Sequence, residues 1–129
     1  MNESAVRILL VEDDAITRFA EQLGLERAGY AVAIARSGEE AVASVSVDQS
    51  IDLVLMDIDL GTGIDGFEAT RQLVQKRQIP VVFLTSYEDS AHVSMAATIS
   101  DYGYLAKNTS IAIIDAGIKM ALRLAAARG

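Results

Sequence analysis

Cysteine and tryptophan are absent from this 129-residue chain, proline and histidine each occur once, and aromatic residues make up only 5% of it. No cysteine–histidine cluster is available for zinc, and the lack of cysteine fits a reducing cytoplasm. A Ser-His-Asp site would have to use His92, and no Gly-x-Ser-x-Gly elbow accompanies it, so His92 reads as a surface helix residue. No apolar run approaches the ~20 residues that span a bilayer. The start, Met1-Asn2-Glu3-Ser4-Ala5, lacks the basic and apolar regions of a signal peptide, and a cytoplasmic location is expected. Basic residues are the minority: 11 Lys and Arg stand against 18 Asp and Glu, a formal charge of −7. That balance argues against nucleic-acid binding, which needs a basic footprint.

What is present is an ordinary globular composition, 51% hydrophobic and 22% charged, enough for one domain over residues 1–129, whether whole or cut from a longer protein. Strand-length apolar runs alternate with helical patterns, the mark of a parallel sheet covered by helices on both faces. Strands are expected at Val6–Val11, Ala31–Ala35, Ile51–Met56, from Pro80, and near Tyr104. The sole proline opens the fourth, where a missing N–H is tolerated.

Between them, Ile16, Phe19, Ala20 and Leu23 form an amphipathic stripe on a helix capped by Asp14 and ended by Gly29. Ser37 with Glu40 makes a capping box for a helix bearing Ala41, Val42 and Val45. Asp65 with Glu68 caps a third helix bearing Phe67, Leu73 and Val74, a fourth is expected at Glu88–Ile99, and a fifth at Ser110–Ala127. These are five βα units in a doubly wound α/β fold.

Four polar residues end four of the apolar runs: Asp13, Asp57, Thr85 and Lys107. In an open parallel sheet, ligands bind just outside the carboxyl ends of the strands. If these strands are neighbours, the four converge. Glu12, Asp13 and Asp57 are hard oxygen donors suited to Mg²⁺, and a carboxylate is a competent nucleophile toward phosphorus. Lys107 supplies charge and Thr85 a hydrogen bond to a phosphoryl group, the parts phosphoryl transfer asks of a protein.

The motifs Ile8-Leu9-Leu10-Val11-Glu12-Asp13-Asp14, Leu53-Val54-Leu55-Met56-Asp57, Val82-Phe83-Leu84-Thr85-Ser86 and Gly103-Tyr104-Leu105-Ala106-Lys107 resemble those of the receiver domain of two-component response regulators, over essentially the full length. The resemblance implies a flavodoxin-like sheet of strand order 2-1-3-4-5. It implies Asp57 as phosphoacceptor, and Mg²⁺ (or Mn²⁺) held by Asp13, Asp57 and the backbone carbonyl of Asp59, with Glu12 acting through water. It also implies Thr85 and Lys107 as phosphoryl ligands, Tyr104 as an aromatic switch that follows Thr85, and a sensor histidine kinase or phosphotransfer protein as donor. Such a domain is not an enzyme beyond its own phosphorylation and dephosphorylation. Its output surface would be the helix before the last strand, that strand, and the last helix.

Two departures stand out. Asn108 follows Lys107 where the family usually has a proline after a cis peptide, so either that bond is cis and strained or it is trans and Lys107 is re-aimed. The loop after Asp57 is longer than usual and carries Gly61 in place of a proline. Tyr87, two residues past Thr85, is placed either to screen water from the phosphate or simply as a partly exposed aromatic.

A rival reading is a haloacid-dehalogenase-type phosphohydrolase, which Asp57-x-Asp59 resembles. That family needs acidic metal ligands after the lysine, and only Asp115 lies there. A third is a receiver-like module that binds partners without phosphorylation. The last helix carries two apolar stripes: Ile111, Ile114, Ile118, Leu122 and Ala125, and a second of Ile113, Met120 and Leu124. One must face the sheet; the other is free for a homodimer, a partner or a neighbouring domain, or packs on the first helix. Residues 1–129 hold no DNA-binding segment, so output is expected through a partner or another part of the protein.

Overall fold

The computed structural model describes residues 5–85, 94–96, 99–100 and 102–128. Five parallel strands, β1 (Arg7–Val11), β2 (Ala31–Ala35), β3 (Leu53–Asp57), β4 (Val81–Thr85) and β5 (Tyr104–Ala106), form one sheet in the order β2-β1-β3-β4-β5. The helices are α1 (Ala15–Arg27), α2 (Gly38–Val47), α3 (Gly66–Lys76) and the C-terminal α4 (Ile111–Arg128). This is the expected flavodoxin-like arrangement. The helix expected at Glu88–Ile99, with Tyr87 and His92, falls mostly outside the described residues; 94–96 and Ile99 are helical.

Strand side chains alternate between two apolar layers because successive residues point to opposite faces. Leu9, Val11, Val54, Met56, Val81 and Phe83 meet α2 and α3 through Ala41, Val45, Phe67 and Leu73. Ile8, Leu10, Leu53, Leu55, Val82 and Leu84 meet Leu25 of α1 and Ile114, Ile118 and Ala121 of α4. β3 and β4 are buried along their whole length, as central parallel strands must be. Each fully buried aliphatic side chain contributes roughly 1.5–3 kcal/mol.

The predicted caps form. Asp14, Ser37 and Asp65 accept from the backbone N–H groups of Thr17, Glu40 and Glu68. Arg77, just past α3, donates to the carbonyl oxygens of Asp48, Gln49 and Ile51 and so ties the α2–β3 connection to α3. The Tyr30 hydroxyl donates to Asp115, tying the start of β2 to α4.

One expected face is turned the other way. The stripe of Ile16, Phe19, Ala20 and Leu23 lies on the surface, with Ile16 82% and Phe19 68% exposed. The face of α1 turned inward carries Thr17, Arg18, Glu21, Gly24 and Leu25, of which only Leu25 is a fully buried apolar residue. The cap at Asp14 fixes the start of the helix, and Gly24 faces Ile111 of α4. Position relative to the sheet outweighs the helix's own apolar pattern. In α4 the first stripe packs inward as expected, through Ile114 and Ile118, while Ile113, Met120 and Leu124 are exposed.

Candidate functional site

Strand register brings the predicted residues together. Val11 pairs with Met56, so Glu12 and Asp13 leave β1 beside Asp57. Asp57 pairs with Leu84, placing Thr85 next to it, and Thr85 pairs with Ala106, placing Lys107 immediately beyond. The Lys107 backbone N–H donates to the Thr85 carbonyl at 2.9 Å, extending the ladder by one residue.

Asp57 is only 3% exposed and Glu12 is equally enclosed; Thr85 is also buried, while Asp13 and Asp59 stand at the mouth. Lys107 Nζ lies 2.5 Å from Glu12 Oε1 and 3.1 Å from Asp57 Oδ2. The second oxygen of each acid is held by backbone: Glu12 Oε2 accepts from the N–H of Asp14 at 3.1 Å, and Asp57 Oδ1 from that of Asp59 at 3.3 Å. No cis peptide occurs among the described residues, so the Lys107–Asn108 bond is trans, and the lysine still reaches both acids.

Burial pushes the Asp57 carboxyl up to about 7, with the charge of Glu12 acting the same way and Lys107 opposing both. Burial alone would lower the Lys107 ammonium, but Glu12 and Asp57 more than offset it and hold its pKa above the usual lysine range. Two acids and one base enclosed together leave excess negative charge, which is what a divalent cation would neutralise. Glu12, Asp13 and Asp57 each bring a carboxylate oxygen within 4.8 Å of the others, and all three are hard donors. The residues fit a divalent ion of the Mg²⁺ type.

The surrounding loop explains one departure. Gly61 has φ +73°, a conformation closed to proline, whose ring fixes φ near −65°. A Cβ there would also stand 3.0 Å from Asp13 Oδ2. The longer loop is anchored to α2, where Glu39 accepts from the Ile64 N–H at 3.1 Å and Ile64 packs over Gly38.

Four contributors escaped the sequence reading. Arg18 donates to the carbonyl oxygens of Glu12 and Asp13 at 3.0 and 3.3 Å and pins the β1–α1 turn. Its position one helical turn past the Asp14 cap was the available signal. Glu39 holds the loop. At Gly66, a Cβ would collide with the Asp57 carbonyl oxygen and Ile58 Cα, so only glycine lets α3 begin this close to the site. Glu21, on the inward face of α1, raises its carboxyl to about 7, chiefly through burial and then the charge of Glu12. The expected switch residue Tyr104 lies on β5 with its side chain 43% exposed.

The chain matches the family described as "Response regulator receiver domain" over residues 8–119. It is 36% identical over 116 residues to the transcriptional regulatory protein AfsQ1 of Streptomyces coelicolor, covering 90% of this chain and 51% of that protein. The chain thus spans about half the length of that regulator, and the same holds for ResD of Bacillus subtilis, 32% identical.

Among solved structures, the N-terminal domain of a response regulator/sensory box/GGDEF three-domain protein from Carboxydothermus hydrogenoformans superposes with a TM-score of 0.86 at 38% identity, covering 95% of this chain and 98% of that one. The receiver domain of sensor histidine kinase PA1611 from Pseudomonas aeruginosa, which has a magnesium ion coordinated in its active-site cleft, superposes with a TM-score of 0.83 at 27% identity, covering 92% and 98%.

Proposed function

Because the chain belongs to the response regulator receiver domain family, we propose that it is a phosphoacceptor module whose Asp57 takes a phosphoryl group from a histidine kinase or phosphotransfer protein. The observation that carries this is the Lys107 bridge, 2.5 Å to Glu12 and 3.1 Å to Asp57, which sets an ammonium beside a buried carboxylate at the sheet's carboxyl edge. In the transfer, an Asp57 oxygen bonds to phosphorus as the P–N bond to the donor imidazole breaks, and the imidazole leaves with a proton. Lys107 and the Thr85 hydroxyl hold the phosphoryl oxygens. Asp13, Asp57 and the Asp59 carbonyl would hold Mg²⁺ or Mn²⁺, with Glu12 acting through water. The bound ion would neutralise charge on the transferring phosphoryl group.

The donor must approach the mouth of this pocket, and α1 borders it. Ile16 and Phe19, exposed on that helix, give a partner an apolar surface beside Asp13. Phosphate on Asp57 would draw Thr85 inward and make room for the Tyr104 ring, now exposed, changing the surface around β5 and α4.

Residues 1–129 are read as a single such domain acting in the cytoplasm; no described helix is long and apolar enough to cross a membrane. The domain itself is read as making no nucleic-acid contact, so the output of a transcriptional regulator like its relatives would lie elsewhere in a longer protein. Acetyl phosphate with Mg²⁺ should phosphorylate the protein once per chain, and Asp57→Asn should abolish it. Multiple turnover on p-nitrophenyl phosphate would instead favour the phosphohydrolase reading. No labelling with an intact fold would favour the unphosphorylated module.

A further inference from the structure

A second cleft, of about 250 Å³, lies between α1, the sheet and the start of α4, apart from the mouth that Asp13 and Asp59 form. Its walls are aliphatic: Leu10, Leu55 and Leu84 from the strands, Ile111 and Ile114 from α4. Three polar residues, Glu21, Lys107 and Thr109, interrupt them. Glu21 lines the cleft, and both of its carboxylate oxygens are shut off from solvent with no hydrogen-bond partner among the described residues. Lys107 also borders the cleft, but its ammonium is engaged by Glu12 and Asp57.

A buried carboxylate without a partner costs several kcal/mol unless it is neutral or paired. An aliphatic residue at position 21 would have filled the space at no such cost, and apolar residues were available on this helix, since Ile16 and Phe19 are spent on the surface. We propose that this cleft is a binding site for a small organic ammonium ion, its hydrocarbon body against the leucine and isoleucine wall and its charged head on Glu21. Three lines of chemistry support this.

The first is size. An engineered apolar cavity of about 150 Å³ accepts benzene, so a cleft of this volume accommodates a chain of about six carbons with an ammonium group. The second is charge. Glu12 and Asp57 both raise the pKa of Glu21, which stands at about 7. Of the described ionisable groups acting on Glu21, only Lys107 is positive, so the local field favours an added cation. The third is placement. Glu21 lines the cleft, so an ammonium seated there meets a carboxylate that has no hydrogen-bond partner among the described residues.

Nitrogen-15-labelled protein titrated with n-hexylamine near neutral pH tests the site, with hexan-1-ol and hexanoate as matched probes. The amine should shift the amide signals of Gly24, Leu25 and Ile111 saturably and bind at least about tenfold more tightly than the alcohol. Hexanoate should not bind. Glu21→Gln should cut amine affinity about tenfold and leave the alcohol unchanged, while Glu21→Asp, which keeps the charge, should retain the preference for amine. Should Glu21→Gln fail to fold, the wild-type amine-to-alcohol ratio and the Glu21→Asp variant still decide. Equal affinity for amine and alcohol, or no saturable shift with the amine, overturns the proposal.

Discussion

Lys107 lies closer to Glu12, at 2.5 Å, than to Asp57, at 3.1 Å. The lysine of this site is therefore held more closely by the acid that is not the proposed phosphoacceptor. Glu12 fixes the ammonium at a point from which it also reaches Asp57, so the proposed ligand for a phosphoryl group is in place before any phosphate arrives.

Replacing that lysine separates two effects. Lys107→Met removes the positive charge that opposes the mutual repulsion of Glu12 and Asp57. Mg²⁺ should then bind more tightly, as read by calorimetry, while phosphorylation by acetyl phosphate should slow by about a hundredfold. Weaker Mg²⁺ binding in this variant would count against the charge balance described.

Stability should depend on pH through Asp57. Its folded-state pKa is raised from 3.8 to about 7, so the folded protein binds this proton more tightly than the unfolded chain. The associated stability is complete below the unfolded value and is lost as pH rises toward about 7, on the order of 1 kcal/mol per pH unit in that window. Asp57→Asn should remove this loss. In chelator-treated buffer, the variant's advantage in urea denaturation should grow from pH 5 to pH 7 and then level off.

The exposed face of α1 should matter to a protein donor and not to a small one. Phe19→Asp puts a charge at a position 68% exposed and removes no core contact. Transfer from a cognate phosphohistidine donor should fall about tenfold or more, and labelling by acetyl phosphate should stay within about twofold. Equal loss with both donors would mean that Phe19 acts on the pocket rather than on docking.

Gly66 sets how closely α3 approaches Asp57. Gly66→Ala places a methyl group against the Asp57 carbonyl oxygen and Ile58 Cα, both backbone atoms that cannot turn aside. The variant should lose about 2 kcal/mol in chemical denaturation. It should also phosphorylate more slowly, because any relief of the clash displaces the acceptor.

The sheet and the pocket were legible in the sequence for one reason. A buried parallel strand must be apolar nearly throughout, so a polar residue at its carboxyl end is conspicuous, and Asp13, Asp57, Thr85 and Lys107 were each found that way. The orientation of α1 was not legible. Its best apolar stripe, from Ile16 to Leu23, faces outward, and its inward face is built of Thr17, Glu21 and Gly24, which no periodicity would select. Local pattern identifies a helix, but the sheet decides which side is inside. Gly66 was missed because closeness to Asp57 is a tertiary relationship that leaves no trace in spacing. Asn108 suggested either a strained cis bond or a re-aimed lysine; the bond is trans, and Lys107 reaches both acids all the same.

The two apolar layers share no side chain, since each strand residue belongs to one face or the other. Substitutions in the α2–α3 layer and in the α1–α4 layer can therefore accumulate with little interference. A partner seated on the flank that bears Phe19, Ile113 and Met120 would therefore leave the anchored loop and the close approach at Gly66, on the opposite flank, as they are.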